Sequence, residues 1–166
     1  MAAERHARET RARVDSRDAA AQLLAAARLG HLATIDSFGR PHVVPVCFAR
    51  VGTRIYTPID EKPKRNDLPR RVRNLLARPA VCLIVDRYDE DWAHLEWVQI
   101  RGEAALVDDA SEREDALAAL RARYPQYRAM ALDERPLIRI QPVELLFWSA
   151  AAGTTRRIPL VDPPRD

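Results

Sequence analysis

At 166 residues, with 47% hydrophobic and 6% aromatic side chains, the chain has the length and apolar content for one ordinary globular domain. Its 27 basic residues are offset by 24 acidic ones to a net charge of +3, so bulk charge makes no case for nucleic acid, and the arginines lack the interleaved aromatics on which bases stack. No apolar run approaches the roughly 18 residues of a membrane span, and the charged N-terminus has no signal-type apolar core, which points to a cytoplasmic protein.

In chain order, residues 1–15 form an extension rich in Arg and Glu that either lengthens the following helix or frays. Ser16 to Leu29 is Ala/Leu-rich, with Ser16 as N-cap, Asp18 in the first turn and Gly30 at the left-handed C-cap position. His31 to Asp36 reads as a strand, Ser37-Phe38-Gly39-Arg40 as a turn and Pro41 to Arg50 as a second strand. After a turn at Val51-Gly52-Thr53, a third strand covers Arg54 to Pro58. In the second strand Val43, Pro45, Cys47 and Ala49 fall on one face, and His42, Val44, Val46 and Phe48 on the other. Both faces are largely apolar, so each needs a cover: a barrel interior on one side, a partner subunit or flat ligand on the other.

Pro69 to Ala77 is a short basic helix ended by Pro79, and Ala80 to Asp86 a strongly apolar strand. Trp97 to Val107 is a strand with Gly102 as a bulge or close approach. Ser111 to Tyr124 is a helix with Ser111 and Glu114 as its capping pair, and Pro136 to Ser149 closes the sheet. A strand-rich order without βαβ repetition predicts a mostly β chain with appended helices, a closed antiparallel barrel. Its domain spans residues 16–150 and is followed by a tail over 151–166. Cys47 and Cys82 sit in apolar strand-like runs with neither Cys-x-x-Cys spacing nor a His cluster, so they read as buried free thiols and no metal site is expected.

Lys62 and Lys64 are the only lysines in the chain. They fall in the loop after the third strand, and with Arg65, Arg70, Arg71 and Arg73 they form a cationic rim interrupted only by Asp67. Such a rim suits a phosphate or a polycarboxylate, and Pro63 limits the directions the two ammonium groups take. The acidic run Asp89-Glu90-Asp91 reads as a solvated turn, because three consecutive carboxylates cannot converge on one point. Arg101 suits either an anionic ligand or an acidic partner.

A family resemblance rests on an ordered set of motifs. These are Leu29-Gly30-His31-Leu32-Ala33-Thr34-Ile35-Asp36, Gly39-Arg40-Pro41-His42-Val43-Val44-Pro45-Val46, Ile55-Tyr56-Thr57 leading to Lys62-Pro63-Lys64, Asn74-Leu75 with Pro79, and Val85-Asp86. Together they resemble the split β-barrel flavin and deazaflavin proteins of the pyridoxamine-5'-phosphate-oxidase-like superfamily. Tyr88-Asp89-Glu90-Asp91-Trp92 followed by Leu95-Glu96-Trp97-Val98 resembles the F420-dependent branch of that class.

The resemblance implies a homodimer with a flat cofactor in a groove between subunits, F420 or alternatively FMN, acting on a small-molecule substrate. It implies Val44, Pro45, Val46, Tyr56 and Thr57 against the ring, and Lys62, Lys64, Arg65, Arg71 and Asn74 toward the phosphate and tail. Trp92 and Trp97 are expected near the neighbouring subunit's cofactor or at the dimer seam. The extra arginines favour the long acidic tail of F420 over the single phosphate of FMN. The activity implied is hydride transfer to an electron-poor double bond; a carrier without turnover is the remaining alternative. No catalytic acid is assigned, and His42 is the first residue to test. The recognisable C-terminal substrate-phosphate motif of the pyridoxamine-phosphate oxidases proper is missing.

Overall fold

A computed structural model of the chain describes residues 16–60 and 68–160. Helix α1 runs over residues 16–26 and is followed by β1 (Gly30–Ile35), β2 (Pro41–Val46), β3 (Ala49–Val51), β4 (Arg54–Pro58), α2 (Arg70–Ala77) and β5 (Ala80–Arg87). Then come β6 (Glu96–Leu106), α3 (Ala110–Arg123), β7 (Leu137–Ser149) and β8 (Thr154–Ile158), with 3-10 turns at Trp92–His94 and Pro125–Ala129. All the paired strands are antiparallel, in the order β2-β1-β5-β6-β7-β4-β3, with β8 added beside β7.

The edge strands β2 and β3 are consecutive in the chain, so Cys47 and Phe48 join the two sheet edges covalently, without a ladder between them. That makes the barrel a split one, as the family resemblance implies, and not the closed one expected from strand order alone. The expected second strand is therefore two: Pro41 to Arg50 breaks after Val46 because its first half pairs with β1 and its second with β4.

Alternation sorts the side chains into two cores. Leu32, Leu83, Val98, Ile100 and Ile140 fill the barrel, closed at one end by Ala20, Leu23 and Leu24 of α1 and at the other by Val72 and Leu75 of α2. A second core lies outside it, where Leu117 and Leu120 of α3 meet Ala49, Tyr56 and Leu137. The sheet's remaining outer face leaves Val43 58% exposed.

Several local expectations change. Ser16 already lies within α1, the helix stops at residue 26, and Gly30 opens β1 without a positive φ. Arg123 of α3 replaces the glycine cap by donating to the carbonyls of Leu24 and Ala27. The cap of α3 is Asp109, whose carboxylate accepts from the Glu112 amide, not Ser111. Thr154–Ile158, in the stretch the sequence assigns to the tail, is a strand paired to β7. Gly102 sits at the bulge between β6 and β7, where a Cβ would lie 2.4 Å from the Gln141 carbonyl oxygen. The turn after β1 is organised by Asp36, which accepts from the Phe38 and Arg40 amides and pairs with Arg40, with Gly39 at φ 83.

Candidate functional site

The cationic end of the barrel is built where β4 hands over to α2. Lys62, Lys64 and Arg65 lie outside the described residues, as do Pro63 and Asp67. The described residues on either side of them are fixed: Ile59 is tied by its amide to the Pro136 carbonyl, and α2 starts behind Pro69, a residue suited to a helix entrance because it has no N–H to satisfy. The helix buries Val72, Asn74 and Leu75, which turns Arg70 and Arg73 outward. Arg73 donates to the Leu68 carbonyl at 3.0 Å, fixing the approach to α2.

Arg71 is half-buried, and its Nε is buried without a hydrogen-bond partner. Burial pulls its guanidinium below the usual arginine range, with the Asp60 carboxylate and Tyr127 opposing. The Nδ1 of His42 is likewise buried and unpartnered. Burial, then the charges of Arg70 and Arg71, push the imidazole below its ordinary range, so His42 is neutral at pH 7. Its backbone is anchored to α2 through two hydrogen bonds: Asn74 Nδ2 donates to Thr34 Oγ1 at 2.9 Å, and the Thr34 hydroxyl donates to the His42 carbonyl at 3.3 Å. A half-buried guanidinium and a neutral imidazole, each with a nitrogen lacking a partner, fit an anionic or hydrogen-bonding ligand group such as a phosphate.

The structure brings His42, Arg71 and Asn74 together but separates the remaining candidates. Val46 is 5% exposed and faces the barrel interior with Val44; Pro45 points outward beside Val43. Tyr56 lies in the second core and donates its hydroxyl to Glu112 Oε1 at 2.7 Å, in a cluster where Arg54 and Arg139 also donate to that carboxylate. Burial and the Glu112 bond raise the Tyr56 pKa. Thr57 is buried. Trp92 is 69% exposed on a 3-10 turn. Trp97 stacks on Trp148 across β6 and β7, with centroids 6.3 Å apart and planes at 13°.

Residues outside the predicted ligand set also take defined places, some of them as the sequence suggests. Val43 shares its outward face with the likewise exposed Pro41 and Pro45, positions the strand alternation marks. Cys47 and Cys82 are free but only half-buried, and burial, then the neighbouring Cys47 thiol, raises the Tyr127 pKa. Thr34, 1% exposed, carries no signal beyond its inward register opposite His42. Arg101 pairs with Glu144 at 3.0 Å. Asp89 and Asp91 accept from the amides of their own turn, beside His94.

Among the described residues no helix is long and apolar enough to cross a membrane. No curated protein matches the chain. Among solved structures, Rv2991, a conserved hypothetical protein of Mycobacterium tuberculosis, has a TM-score of 0.66 at 22% identity over 81% of this chain and 85% of its own. A heme binding protein from Mycobacterium smegmatis gives 0.69 at 16% identity, over 83% of this chain and 55% of its own. A FAD-binding protein from Mesorhizobium loti gives 0.60 at 22% identity, over 77% of this chain and 90% of its own. At these identities the likeness is one of fold. Residues 16–149 match the family model described as pyridoxamine 5'-phosphate oxidase, which takes in every element from α1 to β7; the chain belongs to that family.

Proposed function

We propose that the chain is an F420-dependent oxidoreductase acting on a small electron-poor organic substrate. The observation that carries the reading is the pair of buried nitrogens without partners, Arg71 Nε and His42 Nδ1, at the end of the barrel where the chain's cations concentrate. When bound, reduced F420 supplies a hydride from C5 of its ring to the substrate double bond. Arg71 and Arg70, with Lys62, Lys64 and Arg65 of the adjoining loop, hold the phosphate and the acidic tail; five cations exceed what a single phosphate needs. Asn74 and Thr34 fix the His42 backbone, and with it the register of β2. Pro45 and Val43 offer the ring an apolar outer surface, and a second copy of the chain covers that surface and excludes water. His42, held neutral by burial and then by its cationic neighbours, is a hydrogen-bonding group rather than an imidazolium acid.

FMN is the second reading, supported by the fold's likeness to a FAD-binding protein. Titration of the purified chain with F420 and with FMN, followed by tryptophan fluorescence, separates the two. F420 is expected to bind tighter, and Arg71→Ala to weaken it by about tenfold or more, the scale of a lost charge-assisted contact. Tighter binding of FMN overturns the F420 assignment; binding of neither overturns both. Turnover of reduced F420 with enones or quinones then distinguishes an enzyme from a carrier.

A further inference from the structure

A second unpartnered arginine lies at the opposite end of the barrel. Val85, Val98, Phe147 and Arg156 are successive cross-strand partners on β5, β6, β7 and β8, and such partners share a face of the sheet. Val85 and Val98 are fully buried and Phe147 is 3% exposed, so Arg156 projects from the edge of the barrel-inward face. It is half-buried, its Nε is buried with no hydrogen-bond partner, and no ion pair joins it to any described residue. Gly30, opposite Val46, opens β1 at the α1 end and Thr34, opposite His42, lies four residues on, so the two ends are about 13 Å apart at strand rise.

Arg156 lines two adjoining cavities, of about 560 Å³ and about 420 Å³, that also share Ser16 of α1. Both volumes lie in the range of small-molecule sites. Much of the lining is apolar: Val143, Ile158 and Leu160 in the first, and Leu95 and Phe147 in the second. The two carboxylates that line them are taken, Glu96 by Arg87 at 3.4 Å, and Glu144 by Arg101 and Arg157. A guanidinium left partly desolvated is costly unless an anion meets it, and here the neighbouring carboxylates are committed elsewhere.

We propose that Arg156 is the anion-binding residue of a second site, separate from the Arg71 end, and that its ligand is an organic carboxylate with an apolar body. One guanidinium matches one carboxylate bidentately, and the aliphatic walls match the body. The site stands independently of the cofactor reading, because it shares no residue with the Arg71 cluster.

The test uses the full-length chain and octanoate as probe, by calorimetric titration and thermal unfolding. Octanoate is expected to bind one per chain and raise the unfolding midpoint. Arg156→Gln is expected to fold, to be at least as stable as the parent without ligand because an unpaired charge is gone, and to weaken octanoate by about tenfold or more. Equal affinity in Arg156→Gln, or no binding to the parent, overturns the proposal. Inorganic phosphate binding in preference to octanoate overturns the carboxylate assignment. Loss of stability in Arg156→Gln without ligand assigns the anion to the chain itself and also overturns the proposal.

Discussion

Tyr124→Phe removes one hydroxyl and little else, which makes it a clean probe of the split in the barrel. The ring is 5% exposed and stays, as does its packing under the guanidinium groups of Arg28, at 4.8 Å, and Arg123, at 5.8 Å. The hydroxyl accepts from the Phe48 amide at 3.1 Å and from Arg123 Nε at 3.2 Å, and its single proton goes to the Phe48 carbonyl at 2.9 Å or the Arg28 carbonyl at 3.1 Å. Phe48 is 1% exposed, so its N–H loses its partner where water does not reach. Arg123 keeps the carbonyls of Leu24 and Ala27, which confines the loss to the Phe48 corner. Stranding one buried amide costs about 1–3 kcal/mol. For a chain of this size that lowers Tm by about 2–12 °C. Urea unfolding should show a lower midpoint at unchanged slope, and hydrogen exchange should quicken at Phe48. A loss under about 0.5 kcal/mol would refute the reading that the Tyr124 hydroxyl stands in for a ladder bond at that corner.

Glu112→Ala strips the shared acceptor from Tyr56, Arg54 and Arg139, and is expected to destabilise by about 1–3 kcal/mol in urea unfolding, with little dependence on added salt because Tyr56 itself is buried. Gly102→Ala forces a Cβ to 2.4 Å from a backbone oxygen that cannot retreat without breaking the β6–β7 ladder, so soluble yield and Tm should fall together. For His42 the folded pKa lies below its ordinary 6.5. The unfolded chain therefore binds more protons, and the stability His42 contributes is present above pH 6.5 and lost as pH falls through the lower folded value. His42→Gln should flatten that part of the pH–stability curve, and an unchanged curve would exclude this linkage.

What was legible in the sequence depended on whether the deciding partner was local. Arg54–Pro58 matches its expected bounds because Gly52, at φ 59, sets the turn before it and Ile55 and Tyr56 alternate between two cores. The break between β2 and β3 has no local marker: apolar residues continue through Cys47 and Phe48, and only the change of pairing partner ends one strand and starts the next. The end of α1 was misread because its cap comes from Arg123, almost a hundred residues away. Thr154–Ile158 was missed because an edge strand with only Arg156 and Ile158 turned inward shows little periodicity. In the site, the basic helix and His42 were legible as charge and position. That Tyr56 is bound to Glu112 and Asn74 to Thr34 was not, because both pairings cross between elements.

Pro41 and Pro45 lie on edge strand β2 with one residue's N–H, that of Val43, between them on the same side. A proline is tolerated in a paired strand where the missing N–H faces away from the ladder, so the free margin of β2 offers an incoming chain a single donor along five residues. A continuous intermolecular sheet cannot grow from that margin. A second copy covering the face that carries Val43, as proposed above, would therefore have to pack through side chains there and not by adding a strand to β2.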